Sequence, residues 1–308
     1  MNTPEFLMNT PEFDFQERPC AACGSESRHH VGWRGGSAHH DGRGVRTEIV
    51  RCDSCGHLYP HPMPFPRKGL SGLYTDTAEY FSEHDVERKK QHGLEVMRII
   101  EGKLQYRGTF LDVGCGRGEL LWAAREAGWA WEGVDPSQEY LAWGRANLGI
   151  AGRLGAIEEA HFPDAHFDAI VMGGVIEHLY DPYATLKEIR RVLKPGGVFY
   201  FDAPNENGFY TRIGNLYFRL RRRDWVVNLA PTFPPYHVQG FNPVSLRRLL
   251  SRVGFDVTAL DITGTISPLT GKTSLRKDLE YKAARLINFI GNRCGAGIYM
   301  SVWAKKPE

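Results

Sequence analysis

Three glycines at alternate positions constrain this chain more than any other feature. They lie in the run Leu111-Asp112-Val113-Gly114-Cys115-Gly116-Arg117-Gly118. An apolar stretch from Thr109 reads as a buried strand before them, and an amphipathic segment from about 118 to 127 reads as a helix after them. Glycine in such a turn lets the backbone approach a bound ligand where a Cβ would stand in the way. The G-x-G-x-G spacing is one residue shorter than the dinucleotide pattern G-x-G-x-x-G, which disfavours a pyrophosphate-bearing nicotinamide cofactor and hence a dehydrogenase. Asp112, just before the turn, would repel a phosphate and suits a cationic ligand. Asp135 ends the next strand, where a carboxylate can take both hydroxyls of a ribose.

Around this turn the chain alternates strands with helices. Strands are predicted at 129–134, 167–172 and 198–202, and helices at 137–147 and 182–193, the latter stopped by Pro195-Gly196-Gly197. This alternation implies a parallel sheet with helices on both faces. After residue 205 the rhythm breaks for roughly 35 residues. It resumes with a helix at 243–253 and strands at 255–261 and 297–304. Residues 70–105 read as a helical connector, with apolar Leu94, Met97, Ile99, Ile100 and Leu104 at mixed helical spacing.

The run LDVGCGRG, the acidic end of WEGVDP, then FDAIVMGGVIEHLYDP and LKPGGVFYFDAPN resemble, in order, the motifs of class I S-adenosylmethionine (SAM)-dependent methyltransferases. The resemblance covers about 108–260. It implies a Rossmann-like α/β fold, with a seven-stranded, mostly parallel sheet and helices on both faces, and SAM over the C-terminal strand ends. By position it implies that Gly114, Cys115, Gly116 and Gly118 form the cofactor turn, with Asp112 beside the amino-acid portion. Asp135 and Pro136 match the ribose end, and Met172 and Gly173 the end of the later strand. Ala156, Ile157 and Glu158 fall where the family contacts adenine. The string EHLYDP is also similar to that of quinone-biosynthesis O-methyltransferases.

Methyl transfer from a sulfonium is an in-line displacement in which positioning dominates, and a hydroxyl acceptor gains from a base. His178, after the strand 167–172, is one candidate. The same Glu177-His178 pair could instead only orient its loop. His237, in Pro234-Pro235-Tyr236-His237, is the second candidate, on an insertion (206–240) expected to form a substrate lid. The insertion is rich in aromatics, and Tyr210, Trp225 and Tyr236 are expected to line an acceptor pocket, although such rings can equally pack the insertion onto the sheet. Arg219, Arg221, Arg222 and Arg223 form a basic run that reads first as a solvated face, and second as a grip on an anionic group.

Cys20-x-x-Cys23 and Cys52-x-x-Cys55 have the spacing of a structural four-thiolate zinc site, a zinc ribbon over residues 18–66. Eight of the twelve histidines precede residue 93, so His29, His30, His39, His40, His57 and His61 are spare ligands. Such a segment has too few large apolar residues for its own core and needs a staple. The prolines from 60 to 66 should mark its exit. Met1–Phe6 recur as Met8–Phe13, so residues 1–17 read as a tag-like or disordered start. The segments then expected are the ribbon, a connector at 67–107, and a methyltransferase domain at 108–308.

The 308 residues carry 38 Lys and Arg against 36 Asp and Glu, a net +2 that argues against a polyanion-coating protein. No run approaches the ~18–20 apolar residues of a membrane span, and no secretory signal is read, so a cytoplasmic location is expected. The expected activity is methyl transfer from SAM to a small-molecule acceptor, a hydroxyl oxygen by resemblance, with a structural zinc. Two rivals stand beside it: an rRNA or tRNA methyltransferase that uses the ribbon to recognise RNA, and a non-catalytic SAM-binding or assembly protein. The near-neutral charge disfavours RNA.

Overall fold

The computed structural model describes residues 12–67, 86–229, 236–265 and 275–308. The N-terminal strands come first: β1 (Phe13–Gln16), β2 (Arg28–Arg34), β3 (Thr47–Cys52), β4 (Leu58–Pro60) and β5 (Met63–Pro66). Strands β2, β3 and β4 form a three-stranded antiparallel sheet, and β1 pairs with β5. The repeated start up to residue 11 lies outside the described residues. For residues 12–17 the expectation of a tag-like or disordered start is corrected, because Phe13 is buried and meets Tyr236 edge-on at 5.8 Å. A buried aromatic anchors β1 as a strand.

The helix α1 (Val86–Leu104) follows, then the alternation β6 (Thr109–Val113), α2 (Glu119–Glu126), β7 (Ala130–Asp135), α3 (Gln138–Leu148), β8 (Arg153–Leu154), β9 (Phe167–Met172), α4 (Pro182–Val192) and β10 (Leu193–Pro204). Beyond these lie α5 (Phe209–Leu220), α6 (Pro243–Val253), β11 (Asp256–Thr263), α7 (Leu275–Arg293) and β12 (Tyr299–Lys305). The large sheet has seven strands in the order β11-β12-β10-β9-β6-β7-β8. Its central pairings, β6 with β7 and β9, β7 with β8, and β9 with β10, are all parallel.

Local chemistry explains the elements. Every residue of β9 is buried, as a central parallel strand covered on both faces requires. Helix α3 starts where Ser137 Oγ accepts from the Tyr140 amide at 3.3 Å, and it stops at Gly149 in the left-handed region. Asp181 caps α4 by accepting from the Ala184 amide at 3.0 Å, and Pro182 fills the first turn. The buried stripe of α4, Thr185, Leu186, Ile189 and Val192, has helical spacing. Pro195-Gly196-Gly197 does not end the helix itself. It makes the irregularity that shifts register between Leu193 and Val198 against β9. At the start of β9, burial opposes the charge of Asp168, but hydrogen bonds from Lys194 and Thr109 hold its carboxyl below the usual range.

The chain divides into two compact units that do not follow the linear segments 18–66, 67–107 and 108–308. One gathers residues 65–201, 249–259 and 303–308. Its core packs Met97 and Ile100 of α1, Phe110, Leu121, Trp129, Val171, Val198 and Trp303. The other gathers residues up to 64 with 202–248 and 260–302. Here Ile49 and Leu58 of the N-terminal sheet share a small core with Val226 and Leu229. The break expected after residue 205 contains α5, and α7 falls where no element was expected. Among the described residues no helix is long and apolar enough to cross a membrane.

Candidate functional site

From β6 the chain steps outward to β7 and β8, then crosses back to β9 and β10 on the other side. The C-terminal ends of β6 and β9 therefore flank the point where strand order reverses, the place where open α/β sheets bind ligands. The glycine turn sits there. A Cβ on Gly114 would lie 2.4 Å from Val175 Cγ2, and one on Gly118 would lie 2.6 Å from Ile150 Cγ2. Gly116, at φ +53°, meets no protein atom within 4 Å, so the turn presents open backbone at its middle. The Cys115 side chain points the other way. Its sulfur fills the space left by Gly133 and Gly152, and burial pushes its thiol well up.

Asp135 holds this turn in shape. One carboxylate oxygen accepts from the Gly116 amide and the other from the Ser137 amide, each at 2.8 Å. Burial raises its pKa even so, against the lowering by those two amides. Asp112 is buried too, and burial, reinforced by the charges of Asp135 and Glu119, pushes it up to about 8. Glu119 is paired with Arg117 at 3.0 Å, and the Arg117 guanidinium lies over the Trp143 ring at 4.4 Å. Asp112 thus stands against the charges of both Asp135 and Glu119, a repulsion that a cationic ligand would relieve. Sequence reasoning missed the Arg117–Glu119–Trp143 group, though Arg117 lies inside the glycine motif.

The remaining cofactor candidates border the same strand ends. Pro136 follows Asp135. Beyond β8, Ile157 is buried while Ala156 and Glu158 are exposed, and Glu158 accepts from Thr185 Oγ1 at 2.6 Å. Met172 is buried at the end of β9 and Gly173 beyond it is exposed. Glu177 and His178 are buried in the single 3-10 turn Ile176–His178 that follows. All these residues belong to the first unit.

Asp112 yields a direct test. In the apo fold it keeps its proton up to about pH 8, whereas in the unfolded chain it loses it near the ordinary carboxyl value of 3.8. Apo stability therefore falls as pH rises through that window, and a cation that favours the charged form binds more tightly as pH rises. SAM affinity is expected to climb with pH by up to about tenfold per unit between about pH 5 and 7, below the point near 8 where the cofactor's own ammonium loses its proton. Calorimetry across this range checks it, with Asp112→Asn expected to give a flat profile. A flat wild-type profile would remove Asp112 from the cofactor's charge recognition.

The acceptor-side candidates lie in the second unit. Tyr210 is exposed on α5, and His237 is half-buried beside buried Tyr236, whose hydroxyl burial pushes up. Trp225 is half-buried, near His40 at 5.8 Å and Phe218 at 5.9 Å, beneath the Arg223 guanidinium. Phe233, Pro234 and Pro235 lie outside the described residues.

The four N-terminal thiols converge as the spacing predicted. Cys20 and Cys55 sulfurs stand 3.6 Å apart, Cys23 and Cys52 3.5 Å, and all four lie within 4.8 Å of one another. Sulfurs around a tetrahedral zinc, at about 2.3 Å each, would sit roughly 3.8 Å apart, so the set fits that ion. None is in a disulfide. The Gly24 and Gly56 amides donate to the Cys20 and Cys52 carbonyls, closing two matching knuckles with both glycines at positive φ. His57 does not join the thiol group: its Nε2 pairs with Gln239 Oε1 at 2.8 Å, and burial lowers its pKa to about 4. His29 is taken by Asp53, and His30 by Glu48 and Asp224.

This sheet is joined to the 202–248 segment by backbone. Leu58 and Gly240 exchange hydrogen bonds at 2.9 and 2.7 Å, Trp33 bonds Asp224 and Val226, and Asn242 Nδ2 donates to the Cys55 carbonyl. Glu206, which burial pushes up, accepts from Asn228 Nδ2 and the Leu229 amide.

The fold and the comparisons together define a class I SAM-dependent methyltransferase. The chain belongs to the methyltransferase domain family, which matches residues 82–260. It is 26% identical over 216 residues to the ubiquinone biosynthesis O-methyltransferase of Azoarcus sp. strain BH72, covering 67% of this chain and 90% of that protein. The protein of the same name in Nitrosospira multiformis is 28% identical over 216 residues, covering 67% and 88%. A solved complex of the Haloferax volcanii Trm112 methyltransferase activator with a methyltransferase shares the fold, at TM-score 0.52 and 19% identity over 78% of this chain and 98% of that one.

Proposed function

We propose that this methyltransferase acts on a small-molecule acceptor, at a hydroxyl oxygen, and carries a structural zinc on Cys20, Cys23, Cys52 and Cys55. The observation that carries the cofactor assignment is the crevice of buried carboxylates beside an open glycine turn. Backbone at Gly114, Cys115, Gly116 and Gly118 would admit the amino-acid portion of SAM, with the Asp112 carboxylate matching its ammonium. Asp135 and Pro136 would hold the ribose. Ala156, Ile157 and Glu158 would border the adenine, and Met172 and Gly173 the floor near the sulfonium. SAM supplies an electrophilic methyl group, so the protein's task is to align an acceptor oxygen and remove its proton. His178 or His237 would take that proton. Tyr210, Trp225 and Tyr236 are the aromatic residues proposed to face the acceptor. Closed by four thiolates, the metal would have no open position and no catalytic part.

The names of the relatives favour a hydroxylated quinone precursor as the acceptor class. Incubation with methyl-labelled SAM and a set of catechols bearing apolar tails is expected to give a labelled methyl ether. Label passing to ribosomal or transfer RNA instead would overturn the small-molecule reading. SAM binding without turnover on either acceptor would favour a non-catalytic protein.

A further inference from the structure

Helix α7 is amphipathic in the wrong sense for a helix at home on a protein core. Its most buried residues are Asn288 and Gly291, with Tyr281, Ala284 and Ile287 half-buried beside them. The Asn288 and Asn292 side-chain amides donate to the Gly264 carbonyl at 2.7 and 2.9 Å, and Gly291 lies against Phe209 at the start of α5. Four of its large apolar residues face solvent. Leu279, Leu286, Phe289 and Ile290 are 59%, 61%, 54% and 41% exposed, and Leu279, Leu286 and Ile290 repeat at one face of a helical period with Ala283 between them. Helix α5 repeats the pattern, with Leu216, Tyr217 and Leu220 exposed beside buried Phe218.

Charge decides what could cover this surface. Residues 275–293 hold five Lys and Arg against two acids, and residues 209–223 hold five Arg and no acid. The cations flank the apolar residues: Arg285 lies over the Tyr281 ring at 5.7 Å, Arg293 over Phe289 at 4.8 Å, and Arg221 over Tyr217 at 4.9 Å. A second copy would bring like charges together across the apolar stripe. An anionic surface with an apolar interior satisfies both parts, because the stripe can enter the acyl boundary while the guanidiniums reach the headgroups.

We propose that α7, with the basic end of α5, docks the enzyme on an anionic lipid bilayer as an interfacial helix that does not span it. Helix α7 holds no residue assigned to cofactor, base or metal, so the docking stands independently of the acceptor reading.

Flotation of the full-length protein with vesicles tests it. The protein is expected to float with phosphatidylglycerol–phosphatidylcholine vesicles, to stay behind with phosphatidylcholine alone, and to be released at high salt. The double substitution Leu286→Ser with Phe289→Ser is expected to lower partitioning about tenfold while SAM affinity is unchanged. Arg285→Gln with Arg293→Gln should weaken binding to the anionic vesicles only. Absence of flotation, or equal flotation with both vesicle types, would overturn the proposal. So would a concentration-dependent dimer in sedimentation that Leu286→Ser dissolves, since the face would then join two copies.

Discussion

Alanine in place of the histidine that takes the acceptor's proton is expected to lower turnover by about 10²–10⁴-fold with SAM affinity intact. Two residues compete for the role. His178 is buried in the turn directly after β9, within the unit that holds the glycine turn and both aspartates. A rigid, buried position suits catalytic geometry. His237 belongs to the other unit, two residues from Gln239, which anchors His57. Single-turnover measurements on His178→Ala, His237→Ala and the double variant separate them. The base shows the full loss alone, and the other histidine shows little. Near-normal turnover in all three variants would mean that proximity alone drives transfer.

Cys52→Ser is expected to abolish metal binding and unfold more than the segment 18–66. Structural zinc contributes on the order of 10–16 kcal/mol to the folding of small thiolate modules, far more than the few buried residues around these strands can replace. The Cys55 carbonyl, His57 and Leu58 are hydrogen-bonded to Asn242, Gln239 and Gly240, so loss of the knuckles removes partners from the 202–248 segment. Metal analysis should find one zinc per wild-type chain and none in the variant. Limited proteolysis should then cut within both 18–66 and 202–248, while the unit built on β6 to β9 stays protected and still binds SAM. Wild-type protein without zinc and with its four thiols oxidised in pairs would overturn the metal. Protection of residues 202–248 in the variant would show that this segment stands without the knuckles.

The sequence carried the central sheet because each of its parts is a local signal. The apolar run Phe167–Met172, the capping residues Ser137 and Asp181, and the alternate glycines from 114 to 118 each act within a few residues of chain. The four cysteines were equally legible, since two knuckles of fixed spacing dictate where their sulfurs can meet. Helices α5 and α7 were not. The first buries little beyond Phe218, and the second turns an apolar stripe away from the protein.

What only the tertiary structure decided is which distant residues share an environment. Asp112 and Asp135 were marked by position, but their mutual repulsion and that of Glu119 were not. Parallel pairing of β6 with β7 puts Asp112 and Asp135 at adjacent strand ends, and burial then turns one of them into a group titrating near pH 8. In the same way, spacing made Cys20 to Cys55 a closed module, but pairing of Leu58 with Gly240 fused it to a segment some 180 residues later. Composition and spacing act along the chain. The electrostatics of a buried site and the joining of modules depend on contacts across it, whose entropic cost only the whole core repays.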